Sequence, residues 1–428
     1  MDWQTESYTR RVLELVPTLA RRPDDYEATV GREIISEAAE LAKRLAGRRI
    51  LHVNATAFGG GVVELLTSAV PLTRALGLDV DWRVIGGSEE FFEVTKSMHN
   101  ALQGQEVPWG PAVEQTYMDQ ALANAEAWAD DYDIVVIHDP QPAAMLSLLT
   151  DLRGKRPPGI WIWRCHIDLT SRYGPVWDFL RPHIETHDAA VFTMPEFIPG
   201  DLDIGTVRLI TPCIDPLGVK NVDLTRDVGR AFLRAFGLDD RRPVLTQVSR
   251  FDPWKDPKGV IDAYRIVKDA HPEVQLLLAG SMASDDPEGV RLYDETKAYA
   301  GSDPDIHLLT NLDAVGAAEI NAFQTGSDVV IQKSVREGFG LTVTEAMWKR
   351  RPVIGGDVGG IRVQVEDGVS GYLVDSIEMC ATRATSLLDD PANADRMGEI
   401  GREHVRTTFT TPHLVRNWLR LMADLAGV

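Results

Sequence analysis

The sequence predicts an α/β protein built from two doubly wound, Rossmann-like domains. Three observations carry this expectation. Short apolar strands alternate with helical stretches along nearly the whole chain, which is the pattern of parallel sheets. The alternation breaks once, in a polar, aperiodic segment from Asp215 to about Asp227. At 428 residues the chain also exceeds what one hydrophobic core holds. The expected units are an N-terminal domain over 1–220, a C-terminal domain over 221–408, and a closing helix over 409–428. That helix, PHLVRNWLRLMADLA, follows a finished sheet and is free to cross back to the first domain.

Taken in order, Thr5 to Leu45 reads as two helices broken near Pro23. RRILHVNAT is the first buried strand, and Phe58-Gly59-Gly60-Gly61 turns it into the helix VVELLTSAVPLTRAL. VDWRVI is a strand; EEFFEVTKSMHNALQ and EQTYMDQALANAEAWAD are helices. YDIVVIHDPQP and GIWIWRCHID are strands with polar C-terminal ends, and AAVFTMPEF and TVRLITPCI complete the half. The second half carries six short apolar strands, PVLTQVS, VQLLLAG, IHLLTN, DVVIQ, PVIGG and GYLV. Six strands spaced by helices make a doubly wound domain, whose ligands sit at the C-terminal strand ends.

Composition excludes several classes. Against 44 basic residues stand 64 acidic ones, a net charge of −20. That balance argues against nucleic acid or an anionic membrane as partner. The cysteines Cys165, Cys213 and Cys380 are far apart and odd in number, so they suggest neither a metal nor a disulfide framework. The N-terminus has no apolar signal core and no run is long enough to span a membrane, so a cytoplasmic location is expected.

The chemistry-bearing residues follow strands. Glu337 to Ala346, EGFGLTVTEA, lies after DVVIQ and opens a helix. Gly338 and Gly340 let the backbone approach a ligand, and a helix N-terminus suits a phosphate. Glu337 and Glu345 suit hydroxyls instead, because a carboxylate accepts from two at once. Phosphate and hydroxyls together describe a nucleotide sugar. Thr342 and Glu345 also fit a capping box, Thr-x-x-Glu, so a purely structural role for Glu345 stays open here. QVSRFDPWKDP places Arg250 and Lys255 in the loop after another strand, where two cations would neutralise a diphosphate; solvated surface charges are the plainer reading.

In the first half His166 stands just past a strand, flanked by Arg164 and Asp168, and His138, Asp139 and Gln141 stand at another strand end. A polar residue at His166 suits the sugar being transferred, with a satisfied structural histidine as the competing reading; His138, Asp139 and Gln141 suit a polar acceptor, although Asp-Pro and Gln-Pro also simply start turns. The Gly59-Gly60-Gly61 turn departs from the dinucleotide fingerprint, which needs glycine where Glu64 stands, although Asp79 and Asp81 keep a nicotinamide reading in view. Asp201/Asp203 and Asp303/Asp305 have the form of metal–diphosphate motifs but lie in polar loops and read as solvated. The glycine-rich stretch Gly355 to Val374 is expected to close over a donor.

Together these residues resemble the glycosyltransferases of family 4, with the GT-B fold, in which two Rossmann-like domains face one another across a central cleft. Glu337-x7-Glu345 is the most specific mark, followed by Arg250 with Lys255, then the glycine loop. Within that family HVNATAFGGGVVELL, EFFEVTKSMHNALQG, HDPQPA, WRCHIDL, TQVSRFDPWK and VREGFGLTVTEAMWK are similar to the trehalose-forming glycosyltransferring synthases. The resemblance implies retaining transfer of glucose from a nucleoside-diphosphate-glucose to glucose, giving α,α-trehalose. It implies His166, Arg250, Lys255 and Glu337 as catalytic residues. Gly60, Gly61, Gly338, Phe339, Gly340, Leu341, Thr342 and Glu345 would bind the donor, and Asp139, Gln141, Arg164 and Asp168 the acceptor. No metal site and no obligatory cofactor is implied, with Mg2+ at most stimulatory, and a homodimer is left open. A phosphorylase of the same fold and a non-catalytic sugar-nucleotide-binding protein are the competing readings. Stretches 105–130 and 215–240 match no motif of the family.

Overall fold

The computed structural model describes residues 13–281 and 287–428. It divides into two compact units, Met1–Pro212 with Thr411–Val428, and Cys213–Thr410.

The first unit holds a seven-stranded sheet: β1 (Glu14–Leu15), β2 (Arg49–Asn54), β3 (Asp79–Val84), β4 (Ile134–His138), β5 (Ile160–Arg164), β6 (Ala189–Phe192) and β7 (Val207–Leu209). Their order is β1-β3-β2-β4-β5-β6-β7, with β1 antiparallel to β3 and the rest parallel. Strands β4 and β6 are buried at every residue, as their unbroken apolar sequences require of strands covered on both faces. The strand order reverses between β2 and β4, so the Gly59–Gly61 loop and the Asp139–Gln141 turn leave the sheet at its switch point.

The N-terminal expectation needs correction. The helices there are Pro23–Val30 and Arg32–Arg44, divided by Gly31 at φ 90°. Pro23 starts a helix instead of breaking one, because its missing N–H would be unpaired in a first turn anyway. Leu13 to Arg22 is not helical but carries β1, with Pro17 two residues after that strand. The part of the expected first helix before Leu13 lies outside the described residues.

The closing helix, Thr411–Ala426, packs on the helices Arg32–Arg44 and Gly61–Ala75 of this unit. Its buried side chains Leu414, Val415, Trp418, Leu419 and Met422 recur at helical spacing. Glu37 accepts from Arg416 at 2.8 Å and from Arg420, and the Ser68 and Thr411 hydroxyls meet at 2.9 Å.

The second unit contains the six strands read from the sequence: β8 (Val244–Val248), β9 (Gln275–Gly280), β10 (Ile306–Thr310), β11 (Val329–Gln332), β12 (Val353–Gly356) and β13 (Tyr372–Val374). All are parallel, in the order β10-β9-β8-β11-β12-β13. The reversal falls between β8 and β11, which puts the Arg250–Lys255 loop and the Glu337–Gly340 turn on neighbouring strand ends. The unit begins at Cys213, before the expected boundary at 220. The polar segment belongs here because its backbone is bonded here. Trp348 Nε1 donates to Asn221 O at 2.8 Å, and Asn321 Nδ2 donates to Val219 O and Val222 O at 3.1 and 2.9 Å.

Candidate active site

Lys255 and Glu337, from the loops after β8 and β11, are joined: Lys255 Nζ donates to Glu337 Oε2 at 2.6 Å. Ser334 Oγ donates to the same oxygen at 3.1 Å. The lysine is presented by a 3-10 turn, Pro253–Lys255, which Asp252 caps by accepting from Trp254 N at 2.8 Å. Gln247 Nε2, on β8, donates to the Lys255 carbonyl at 2.7 Å. The loop is therefore pinned from the sheet side while its ammonium stays at the strand end. Arg250 is different. Its side chain is 66% exposed, with Asp252 at 3.4 Å as its recorded ion-pair partner, so it can swing toward an anion.

Glu345 lies in the helix Leu341–Trp348, only 1% exposed. The Lys220 ammonium is 3.6 Å from its Oε1. Its Oε2 is buried with no hydrogen-bond partner. Lys349, one turn on, donates to the Glu345 carbonyl and to Asn221 Oδ1, each at 3.1 Å. Burial pushes the Lys349 ammonium down to about 7, the nearby Glu345 charge opposing the shift. The capping-box reading of Thr342 and Glu345 does not hold. The N-cap is Gly340, at φ 87°, and no side chain caps the helix. Gly340 takes a left-handed conformation that suits glycine, so the N-cap falls two residues before Thr342.

The turn itself is held by close packing and by one amide. A Cβ on Gly360 would lie 2.4 Å from Phe339 Cα and 2.5 Å from Gly338 O, so the second glycine-rich loop fits against the first only without a side chain. Gln364, fully buried, donates to the carbonyls of Phe339, of Gly360 at 3.2 Å and of Gly340 at 3.4 Å. The first N–H groups of the Leu341–Trp348 helix have no acceptor inside the helix, and the stitched turn holds them still.

In the first unit His166 follows β5, and its backbone N–H donates to Asp139 Oδ1 at 2.7 Å. Asp139 itself sits at φ 64°, outside the usual range for a non-glycine residue, and burial pushes its carboxyl up to about 7. It holds the strand end, accepting from His166 while its own N–H donates to Arg164 O at 2.8 Å. Arg164 is buried, with one nitrogen on Thr193 Oγ1 at 3.1 Å and Nη1 unpaired. Asp168 closes a local turn, accepting from Thr170 N at 2.9 Å and Thr170 Oγ1 at 2.6 Å. Gln141 is partly buried beside that strand end. Gly60 caps the Gly61–Ala75 helix at φ 80° in an exposed loop. Thus His166, Asp139 and Arg164 are brought together here, and Lys255, Glu337 and the Gly338–Thr342 turn in the second unit.

Among the described residues no group of three histidines, cysteines, aspartates or glutamates could hold a metal ion. Asp303 and Asp305 are not solvated as expected; both accept from Lys268, at 2.7 and 2.9 Å. The three cysteines are free and buried. No helix among the described residues is long and apolar enough to cross a membrane. Sequence reading missed Lys220, Asn221, Lys349, Ser334 and Gln364. Lys349 was accessible as the residue four after Glu345 on one helix face; the others come from segments without a pattern. Because Gly340 is the cap, Thr342→Ala is expected to change unfolding free energy by less than about 0.5 kcal/mol in urea. A loss of about 1 kcal/mol, the size of an N-cap deletion, would restore the capping reading.

Comparison with known proteins fits this geometry. A model of the trehalose synthase N-terminal domain matches residues 52–199, and one of glycosyl transferases group 1 matches residues 230–404. The chain is 51% identical over 408 residues to a trehalose synthase of Rubrobacter xylanophilus, spanning 94% of this chain and 97% of that one. It is 28% identical to a trehalose phosphorylase of Pleurotus pulmonarius, across 93% of this chain and 60% of that one. The solved sucrose-phosphate synthase of Thermosynechococcus elongatus superposes with a TM-score of 0.67 at 20% identity, over 89% of this chain and 99% of that one. The last likeness shows the GT-B fold of two parallel-sheet domains. Half identity along nearly its whole length places the chain in the trehalose synthase family, as an enzyme of the glycosyltransferase type.

Proposed function

We propose that the enzyme transfers glucose, with retention, from a nucleoside-diphosphate-glucose to glucose and forms α,α-trehalose in the cytoplasm, as a family 4 glycosyltransferase. The observation that carries the donor assignment is the buried, unpartnered Oε2 of Glu345. A buried acceptor left unpaired costs on the order of 1–3 kcal/mol, and a ribose diol offers the donors that would recover it. A phosphorylase, in which inorganic phosphate takes the place of the nucleoside diphosphate, has no ribose for this oxygen.

In this reading Arg250, Lys255 and the N–H groups of Gly338 to Thr342 receive the diphosphate. Glu337 accepts from hydroxyls of the transferred glucose. Its bond to Lys255 prepositions both groups, since an ammonium carries three donors and can serve a carboxylate and a phosphate together. His166 meets the glucose near its 6-hydroxyl, Gly60 and Gly61 line the phosphates, and Gln141 is the acceptor-side residue least committed to internal bonds. As the nucleoside diphosphate departs, charge grows on its oxygens, where Arg250 and Lys255 stabilise it. The acceptor hydroxyl attacks the same face and passes its proton to the leaving phosphate oxygen. The positive charge comes from side chains and a helix end, so no divalent ion is required and magnesium is at most a stimulant.

The test is incubation with ADP-, UDP- and GDP-glucose or with glucose 1-phosphate, each with glucose. A non-reducing α,α-disaccharide with free nucleoside diphosphate is expected. Product from glucose 1-phosphate alone establishes the phosphorylase instead, and a solely reducing disaccharide overturns the acceptor. Arg250→Ala and Lys255→Ala should each lower kcat about a hundredfold, the usual cost of losing one contact to developing charge. Near-normal turnover in both would move the diphosphate elsewhere.

A further inference from the structure

Three histidines of the first unit form a hydrogen-bonded chain, of which the mechanism uses only one end. His52 lies within β2, opposite Val136 of β4; His138 is the last residue of β4, opposite Arg164; His166 follows β5. His52 Nδ1 is 3.0 Å from His138 Nε2, and His138 Nδ1 is 3.0 Å from His166 Nε2. The His138 and His166 rings are stacked at an interplanar angle of 16°, and Trp418 of the closing helix meets His52 edge-on. His52 and His138 are buried.

We infer that His138 and His52 are positioning residues for His166, fixing its ring and tying its tautomer to theirs, with His166 Nδ1 left to meet a sugar oxygen. This rests on the reading that His166 contacts the transferred glucose. The coupling follows from the order of the contacts. Each bond joins Nδ1 of one ring to Nε2 of the next, and a neutral imidazole has one N–H and one acceptor nitrogen. The two bonds must therefore run in the same direction. If His52 carries its proton on Nδ1, so do His138 and His166; if on Nε2, all three do. Mixed tautomers would set two lone pairs or two hydrogens against each other.

Burial keeps the rings neutral. It pushes His52 down to about 4 and His138 and His166 well below the usual imidazole range, with the Arg164 guanidinium adding to the shift of the latter two. The pocket that His52 lines joins apolar side chains, Val62, Leu65, Leu66, Leu414 and Met422, to Thr73, Arg164 and the other two histidines. The contacts fix orientation: the ring of His166 is held by His138, and its backbone by Asp139.

The test uses the full-length protein with 15N-labelled histidine, whose ring nitrogens report the tautomer directly by long-range proton–nitrogen correlation. In the wild type His52, His138 and His166 are expected to show one common tautomer, and different tautomers among them overturn the proposal. His52→Phe keeps an aromatic ring but ends the chain, so it should alter the ring signals of His166, which it does not touch. His52→Asn places an amide at the Nδ1 position and should preserve them; a His166 pattern unmoved by His52→Phe also overturns the coupling. In the transfer reaction His52→Phe should lower kcat about tenfold, the worth of one misplaced hydrogen bond, at unchanged donor KM. His52→Asn should restore it, whereas equal loss in both variants reduces His52 to packing. The tautomer measurement needs no turnover, so absence of glucosyl transfer counts against the proposed function alone, and a His52→Phe chain that fails to fold leaves the wild-type result decisive.

Discussion

Glu345 imposes the main constraint on the second unit. A carboxylate only 1% exposed must be compensated or it destabilises the fold. Lys220 approaches one oxygen, and Lys349 anchors the backbone carbonyl of Glu345 and the Asn221 side chain. Those contacts draw a polar segment of unremarkable sequence onto the helix Leu341–Trp348. The other oxygen has no partner. The unit thus surrounds one incompletely satisfied acceptor with cations, which is the feature the proposed nucleotide-sugar donor would complete.

The same logic governs the turn before that helix. Lys255 and Glu337 neutralise each other across adjacent strand ends, which keeps a charged loop in place without a ligand. Gln364 and Gly360 fix the backbone of the turn. Preorganised donors of this kind stabilise developing charge without reorganising at the moment of reaction. The strands supply rigidity, and the loops at the switch point carry the residues to which the proposal assigns the chemistry.

Much of this was legible in the sequence, and the exceptions have physical causes. All six strands of the second unit could be read because parallel strands covered by helices are largely apolar runs, even at the partly buried edge strand β10. Glu337, Lys255 and His166 stood out as candidates because they lie in the loops that follow such runs. Pro23 was misread because proline punctuates a helix at either side of a boundary, and only structure says which. Thr342 and Glu345 matched a cap motif in composition, but Gly340 had already started the helix. Lys220 and His52 were invisible for another reason. Lys220 acts from an aperiodic segment, and His52 sits inside a strand, where a lone histidine carries no signal until the register aligns it with β4.

The assignment of Glu345 to a ribose is tested most directly by calorimetry on the unmodified protein. Nucleoside diphosphates are titrated beside their 2′,3′-dideoxy counterparts, which keep base and diphosphate but lack both hydroxyls. Hydrogen bonds to a charged acceptor contribute roughly 1.5–3 kcal/mol, so the dideoxy form should bind at least about tenfold more weakly. Equal affinity for the two forms would mean that Glu345 holds no ribose, and the nucleotide-sugar account of this site would fail.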